Sequence, residues 1–141
     1  ILAIYKSGLI DLIQLHGDET PEDAAPFREA GAPFIKAIGV KTRDDLERAA
    51  DFGALGILLD AHAPGVYGGT GEVFDWKVAT DFKSQHPDLP VILAGGIVPE
   101  NAADAVEAVA PAAIDIASGA EISPGIKDFT KVAALIRALA K

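Results

Sequence analysis

No cysteine occurs anywhere in the chain, which excludes a disulfide framework and any thiolate metal site within it. Basic residues are scarce as well: 12 lysines and arginines stand against 21 acidic residues, a formal charge of −9. With neither basic clusters nor interleaved aromatics, nucleic acid and anionic membrane surfaces are excluded as partners. No run approaches the roughly 20 apolar residues that span a bilayer. The first 13 residues carry Lys6 and Asp11 and show no signal-peptide cleavage pattern, so a cytoplasmic location is expected. His16, His62 and His86 are too scattered for a zinc motif. Methionine is missing too, and the chain starts at Ile1, which fits processing or truncation better than a complete gene product.

What is present is apolar and periodic. Half of the 141 residues are hydrophobic, enough for one domain with a substantial core. Five short apolar runs read as strands: 9–15, 33–39, 55–60, 90–94 and 112–117. Helix signals fall between them. Thr20-Pro21-Glu22-Asp23 opens a helix to about Ala30, and Thr42-Arg43-Asp44-Asp45 caps another that ends near Phe52. Phe74 to Gln85 and Pro99 to Val109 follow, and Asp128 caps a last helix reaching Leu139. Residues 1–7 read as the end of a helix. The strands begin 22 to 24 residues apart except for one step of 35, a strict βα alternation.

The excess in that step lies in the loop after Leu55-Gly-Ile-Leu-Leu-Asp60, which runs through Gly68-Gly69-Thr70-Gly71. A buried parallel strand that ends on a carboxylate and opens into a glycine-rich loop can deliver one acid to the rim of a site. Asp60 is therefore the first candidate for chemistry, although an aspartate also commonly ends strands and paired glycines make ordinary turns.

Uniform βα units point to a parallel sheet, as a (β/α)₈ barrel or a doubly wound sheet. Polar residues within the strands (Gln14, Lys36, Asp60, Asp115) favour a barrel, whose interior lets such groups meet, with Lys36 paired to Asp115 or Asp60. Gly95-Gly96 and Ser118-Gly119 follow consecutive strands, so their bare N–H groups suit a phosphate, which an acidic protein must hold with backbone dipoles. Strand-ending turns would use the same glycines. His16 follows a strand and can reach the mouth of the site. Tyr67 reads as a lid residue, Trp76 as a packing anchor and Lys127 as surface charge.

Several stretches together resemble the phosphoribosylanthranilate isomerase family of tryptophan biosynthesis. They are Gln14-Leu-His-Gly-Asp-Glu19, Ile35-Lys-Ala-Ile-Gly-Val40, Leu58-Leu-Asp60, Tyr67-Gly-Gly-Thr-Gly71 with Phe74-Asp-Trp76, Leu93-Ala-Gly-Gly-Ile97 with Pro99-Glu-Asn101, and Asp115-Ile-Ala-Ser-Gly-Ala-Glu121 with Pro124-Gly-Ile-Lys-Asp128. The resemblance implies an Amadori rearrangement of a phosphorylated aminoribose, with Asp60 as the general acid. It places His16 and Asp115 at the anthranilate and sugar end and the phosphate on Gly95, Gly96, Ser118 and Gly119. The loop of Tyr67, Gly68, Gly69 and Gly71 would close over the substrate, and no metal or organic cofactor is implied.

The chain departs from the family pattern twice. Ala117-Ser118 stands where two serines are usual, and the family's cysteine base on its first strand has no counterpart. The expectation is accordingly a (β/α)₈ barrel of which residues 1–141, one domain, supply the C-terminal portion, strands 4–8. The missing N-terminal units would come in cis or from another chain, with a homodimer as one form, and these residues alone would be inactive. Rival readings are another phosphate-binding barrel enzyme, such as indole-glycerol-phosphate synthase, and a non-catalytic phosphate-binding half-barrel.

Overall fold

The computed structural model describes residues 1–40, 43–60 and 76–140. Its centre is a five-stranded sheet of β1 (Ile13–Leu15), β2 (Phe34–Gly39), β3 (Gly56–Asp60), β4 (Val91–Ala94) and β5 (Ala113–Ile114), all parallel and in sequential order. Around it lie α1 (Leu2–Lys6), α2 (Ala25–Glu29), α3 (Trp76–Gln85), α4 (Ala102–Val109) and α5 (Phe129–Leu139). A short antiparallel hairpin, β6 (Glu121–Ser123) and β7 (Ile126–Lys127), follows β5.

The expected fold is corrected on this evidence. The described residues form an open α/β sheet of five parallel strands with an added hairpin, and no eight-stranded closure occurs among them. A βα repeat dictates parallel neighbours, but it carries no count of strands outside itself. Neither closure nor a C-terminal place within a barrel follows from the pattern.

The sheet divides its side chains by alternation. Ile57 and Leu59 of β3, with Val91 and Leu93 of β4, pack against Phe82 of α3, Ala102 and Ala105 of α4 and Leu135 of α5. Ile13, Leu15 and Phe34 continue that helix-covered face toward Ala24 and Phe52. The opposite face is a smaller cluster of Ala37, Leu58 and Ala94. Asp60 falls on this second face, two residues beyond Leu58.

Local chemistry trims several expected elements. Of the expected strand 9–15 only the last three residues, β1, pair, and Leu9 and Leu12 before them are exposed. Thr20 and Asp23 cap each other reciprocally: the Thr20 N–H donates to Asp23 Oδ2 at 2.9 Å and the Asp23 N–H to Thr20 Oγ1 at 3.2 Å. Regular α-helix then covers Ala25–Glu29 alone. Between residues 43 and 52 the chain winds as two 3₁₀ segments, Arg43–Leu46 and Ala49–Phe52, rather than the expected α-helix. The cause is visible in the spacing. Leu46, Ala49 and Phe52 recur every third residue and all are buried, a period that three residues per turn brings onto one face. Asp128 caps α5 as expected, its carboxylate accepting from the N–H groups of Thr130 and Lys131.

Candidate functional site

A cavity of about 760 Å³ opens at the carboxyl ends of β1, β2 and β3, where parallel α/β sheets place their ligands. His16 and Gly17 enter it from the end of β1, Lys36 to Gly39 from β2, and Asp60 from β3. His16 Nε2 stands 3.6 Å from Asp60 Oδ2, with the His16 side chain 56% exposed and that of Asp60 21%. Two titratable groups capable of proton exchange thus share the rim. Both were candidates from sequence, and the structure brings them together.

Lys36 is placed differently from expectation. It pairs with Glu19 rather than with Asp60 or Asp115: its Nζ donates to Glu19 Oε2 at 2.9 Å and to the Gly17 carbonyl at 2.7 Å. The register explains the correction. Lys36 lies opposite Ile57 on β3 whereas Asp60 lies opposite Gly39, so the ammonium starts from the helix-covered face and the acid from the other. Burial pushes the Glu19 carboxyl up, but the hydrogen bonds from Lys36 and from backbone N–H groups outweigh it and hold the carboxyl below its usual 4.5.

Asp115 is exposed just past β5 and does not line the cavity. Its N–H donates to the Leu93 carbonyl at 2.8 Å, which continues the β4–β5 register and sets it beside Ala94. Two strand spacings, about 9–10 Å, then separate it from Asp60 along the rim. Tyr67, Gly68, Gly69 and Gly71 lie outside the described residues, as does His62.

The two glycine loops meet each other. Gly95 and Gly96 both take positive φ, 81° and 66°, which their lack of a Cβ permits. Gly119 approaches so closely that a Cβ there would stand 1.8 Å from the Ile97 carbonyl oxygen, so only glycine fits. Asn101 ties the first loop: it accepts from the Val98 N–H at 2.9 Å and donates from Nδ2 to the Gly96 carbonyl at 3.0 Å. Lys127 is more than surface charge, since its Nζ donates to the Ala117 carbonyl at 3.1 Å and to Glu121 Oε1 at 2.8 Å. Ser118 stands exposed at the head of the second loop. These loops do not contribute to the lining of the Asp60 cavity.

Sequence reasoning missed Glu19 and Asn101 as site-building residues. Glu19 sits two residues past a glycine, where a carboxylate can fold back on the backbone, and Asn101 immediately precedes a helix, where asparagine binds loop backbone. Among the described residues no group of three or more histidines and acids is arranged to hold a metal ion, and no helix is long and apolar enough to cross a membrane.

The sequence profile of N-(5'-phosphoribosyl)anthranilate isomerase matches residues 1–138. The isomerase of that name from Thiobacillus denitrificans is 51% identical over 138 residues, which cover 95% of this chain and 63% of that protein. The crystal structure of phosphoribosylanthranilate isomerase from Thermotoga maritima superimposes with a TM-score of 0.83 at 36% identity, covering 98% of this chain and 65% of that one. A second isomerase structure, in complex with reduced 1-(o-carboxyphenylamino)-1-deoxyribulose 5-phosphate, matches with a TM-score of 0.78 at 32% identity, covering 98% of this chain and 63% of that one. The chain thus spans just under two thirds of the length of these relatives. The matches do not assign it to their C-terminal part, and that expectation is withdrawn along with the supply of missing barrel units. With the profile running through both the Asp60 strand and the two glycine loops, the chain belongs to the N-(5'-phosphoribosyl)anthranilate isomerase family.

Proposed function

We propose that the intact protein containing this chain isomerises N-(5'-phosphoribosyl)anthranilate by an Amadori rearrangement, in tryptophan biosynthesis and in the cytoplasm. The observation that carries the reading is the placement of Asp60 at a strand end, inside a 760 Å³ cavity and against His16. Asp60 gives a proton to the ribose ring oxygen as the anomeric C–O bond breaks, and the anilino nitrogen supplies the electron pair that forms the Schiff base. A base then takes the proton from the adjacent sugar carbon, yielding an enolamine that tautomerises to the ketone. His16 holds the anthranilate and sugar end, with Asp115 at the far side of the rim. Gly95, Gly96, Ser118 and Gly119 receive the phosphate with backbone N–H groups and a hydroxyl. Tyr67, Gly68, Gly69 and Gly71 belong to the loop that covers the substrate.

The cysteine base of the family has no counterpart in these residues. The 141-residue chain by itself is accordingly expected to turn over little or no substrate. In the intact protein, Asp60→Asn lowers turnover by about 10²–10⁴-fold, the usual contribution of a positioned acid, while inorganic phosphate binds as before. A protein that merely binds a phosphorylated ligand is indifferent to the substitution, and unchanged turnover in Asp60→Asn removes Asp60 from the mechanism.

A further inference from the structure

Among the described residues Lys36 is the one buried charged side chain, 4% exposed. Its register sets it across the sheet from Asp60, so its ammonium approaches the site from the helix side. The Phe52 ring lies 5.6 Å from Nζ, a cation–π contact that adds to the two hydrogen bonds. Glu19, the partner of Lys36, also accepts from the Gly17 N–H at 2.9 Å. One ion pair therefore holds Gly17 by its N–H and its carbonyl at once. Glycine suits the position, because a Cβ would stand 3.1 Å from Glu19 Oε1.

The residue before Gly17 is His16. More than half of the His16 side chain is in solvent, so packing does little to fix the imidazole and its location depends on the backbone that carries it. We propose that Lys36 is a positioning residue: together with Glu19 it clamps the peptide after His16, and the clamp keeps the imidazole against the Asp60 carboxylate. Lys36 also lines the cavity, but its ammonium is engaged by the β1 loop. Lys36 has spent two donors on the β1 loop and starts from the face opposite the acid. Glu19 completes the clamp and is partly exposed, at 32%.

The catalytic consequence rests on the isomerase reading, and the experiment has one readout that does not. In the intact protein, Lys36→Met and Glu19→Ala are compared with the wild type by steady-state kinetics. Both are also examined by NMR of the His16 imidazole with and without Asp60→Asn. Misplacement on the scale of an ångström lowers kcat by about 10- to 100-fold, with KM for the phosphoribosyl substrate little changed. In the wild type the His16 resonances respond to Asp60→Asn; in both clamp variants that response is lost. Normal kcat with the His16 response intact in Glu19→Ala overturns the proposal, and because Glu19 reaches the surface, that variant decides the matter even if Lys36→Met does not fold. A wild type without isomerase turnover whose His16 response still vanishes in the variants overturns the isomerase reading and leaves the clamp standing.

Discussion

The two ends of the strand-terminal rim are fixed by different means. At β1–β3 the parts are held by charge: the buried Lys36 ammonium, the Glu19 carboxylate and the Gly17 peptide between them. At β4–β5 contact and neutral amides do most of the holding, with Gly119 pressed on the Ile97 carbonyl and Asn101 bridging Val98 and Gly96, and the Lys127–Glu121 ion pair reaches the second loop at the Ala117 carbonyl. A charge clamp tolerates small changes of shape but depends on protonation. A backbone contact is indifferent to pH but accepts no added atom. The first suits a place where titratable groups must be aligned, the second a place where bare N–H groups must face an anion.

Substitutions sharpen that contrast. The largest effect is expected from Gly119→Ala, whose new methyl group must displace the Ile97 carbonyl. A loss of about 1–3 kcal/mol or more in denaturant unfolding is expected, with weaker binding of inorganic phosphate, and full retention of both shows that the loops yield. Asn101→Ala leaves the Val98 N–H and the Gly96 carbonyl to find other partners. Its expected cost of about 1–3 kcal/mol, read in the same unfolding experiment, falls on the Gly95–Gly96 loop and spares the His16–Asp60 pair. Removal of the α5 cap by Asp128→Ala lowers Tm by a few degrees at most; a larger drop reveals a role beyond capping.

Acid separates the two ends without mutation. The Glu19 carboxyl is held below its usual 4.5 in the folded chain, so the unfolded chain binds its proton first as pH falls. Its contribution to stability is complete above the unfolded value and disappears as pH drops through the folded one. Asp128 and Glu121 are also lowered, Asp128 chiefly by the Thr130 hydroxyl and N–H, and Glu121 by Lys127. The hydrogen-exchange protection factor of the Gly17 N–H should accordingly fall on acidification at pH values where the Val98 N–H, held by the Asn101 amide, keeps its own. Equal loss at both ends abolishes the distinction between a charge clamp and a neutral one.

Much of this was legible in the residues, and the misses share a cause. The parallel strands, the Asp128 cap, and Asp60 and His16 at strand ends all follow from local pattern. Register does not. The sequence shows that Lys36 lies in a strand, but the offset that pairs it with Ile57 and sends it away from Asp60 is a tertiary fact. Asp115 went the same way: its strand proved to be two paired residues, Ala113 and Ile114, with the acid exposed beyond them. The hairpin at 121–127 carried only one turn signal, Pro124-Gly125, and its strands are too short for a visible alternation. The strand total of a barrel is a global quantity, and five repeats do not contain it.

The 3₁₀ winding before β3 has a further consequence as a ruler. Leu46 closes the first 3₁₀ segment, and Ala49 and Phe52 lie one turn apart in the second, which brings all three to buried positions. Inserting or deleting a single residue within Ala49–Phe52 rotates the rest of that segment by a third of a turn. That would swing the Phe52 ring from beneath the Lys36 ammonium and move Gly53, whose φ of 59° ends the segment. Length in this connector is thereby constrained, although it supplies only lining to the cavity, through Asp45, Arg48 and Phe52, and none of the groups given a chemical role.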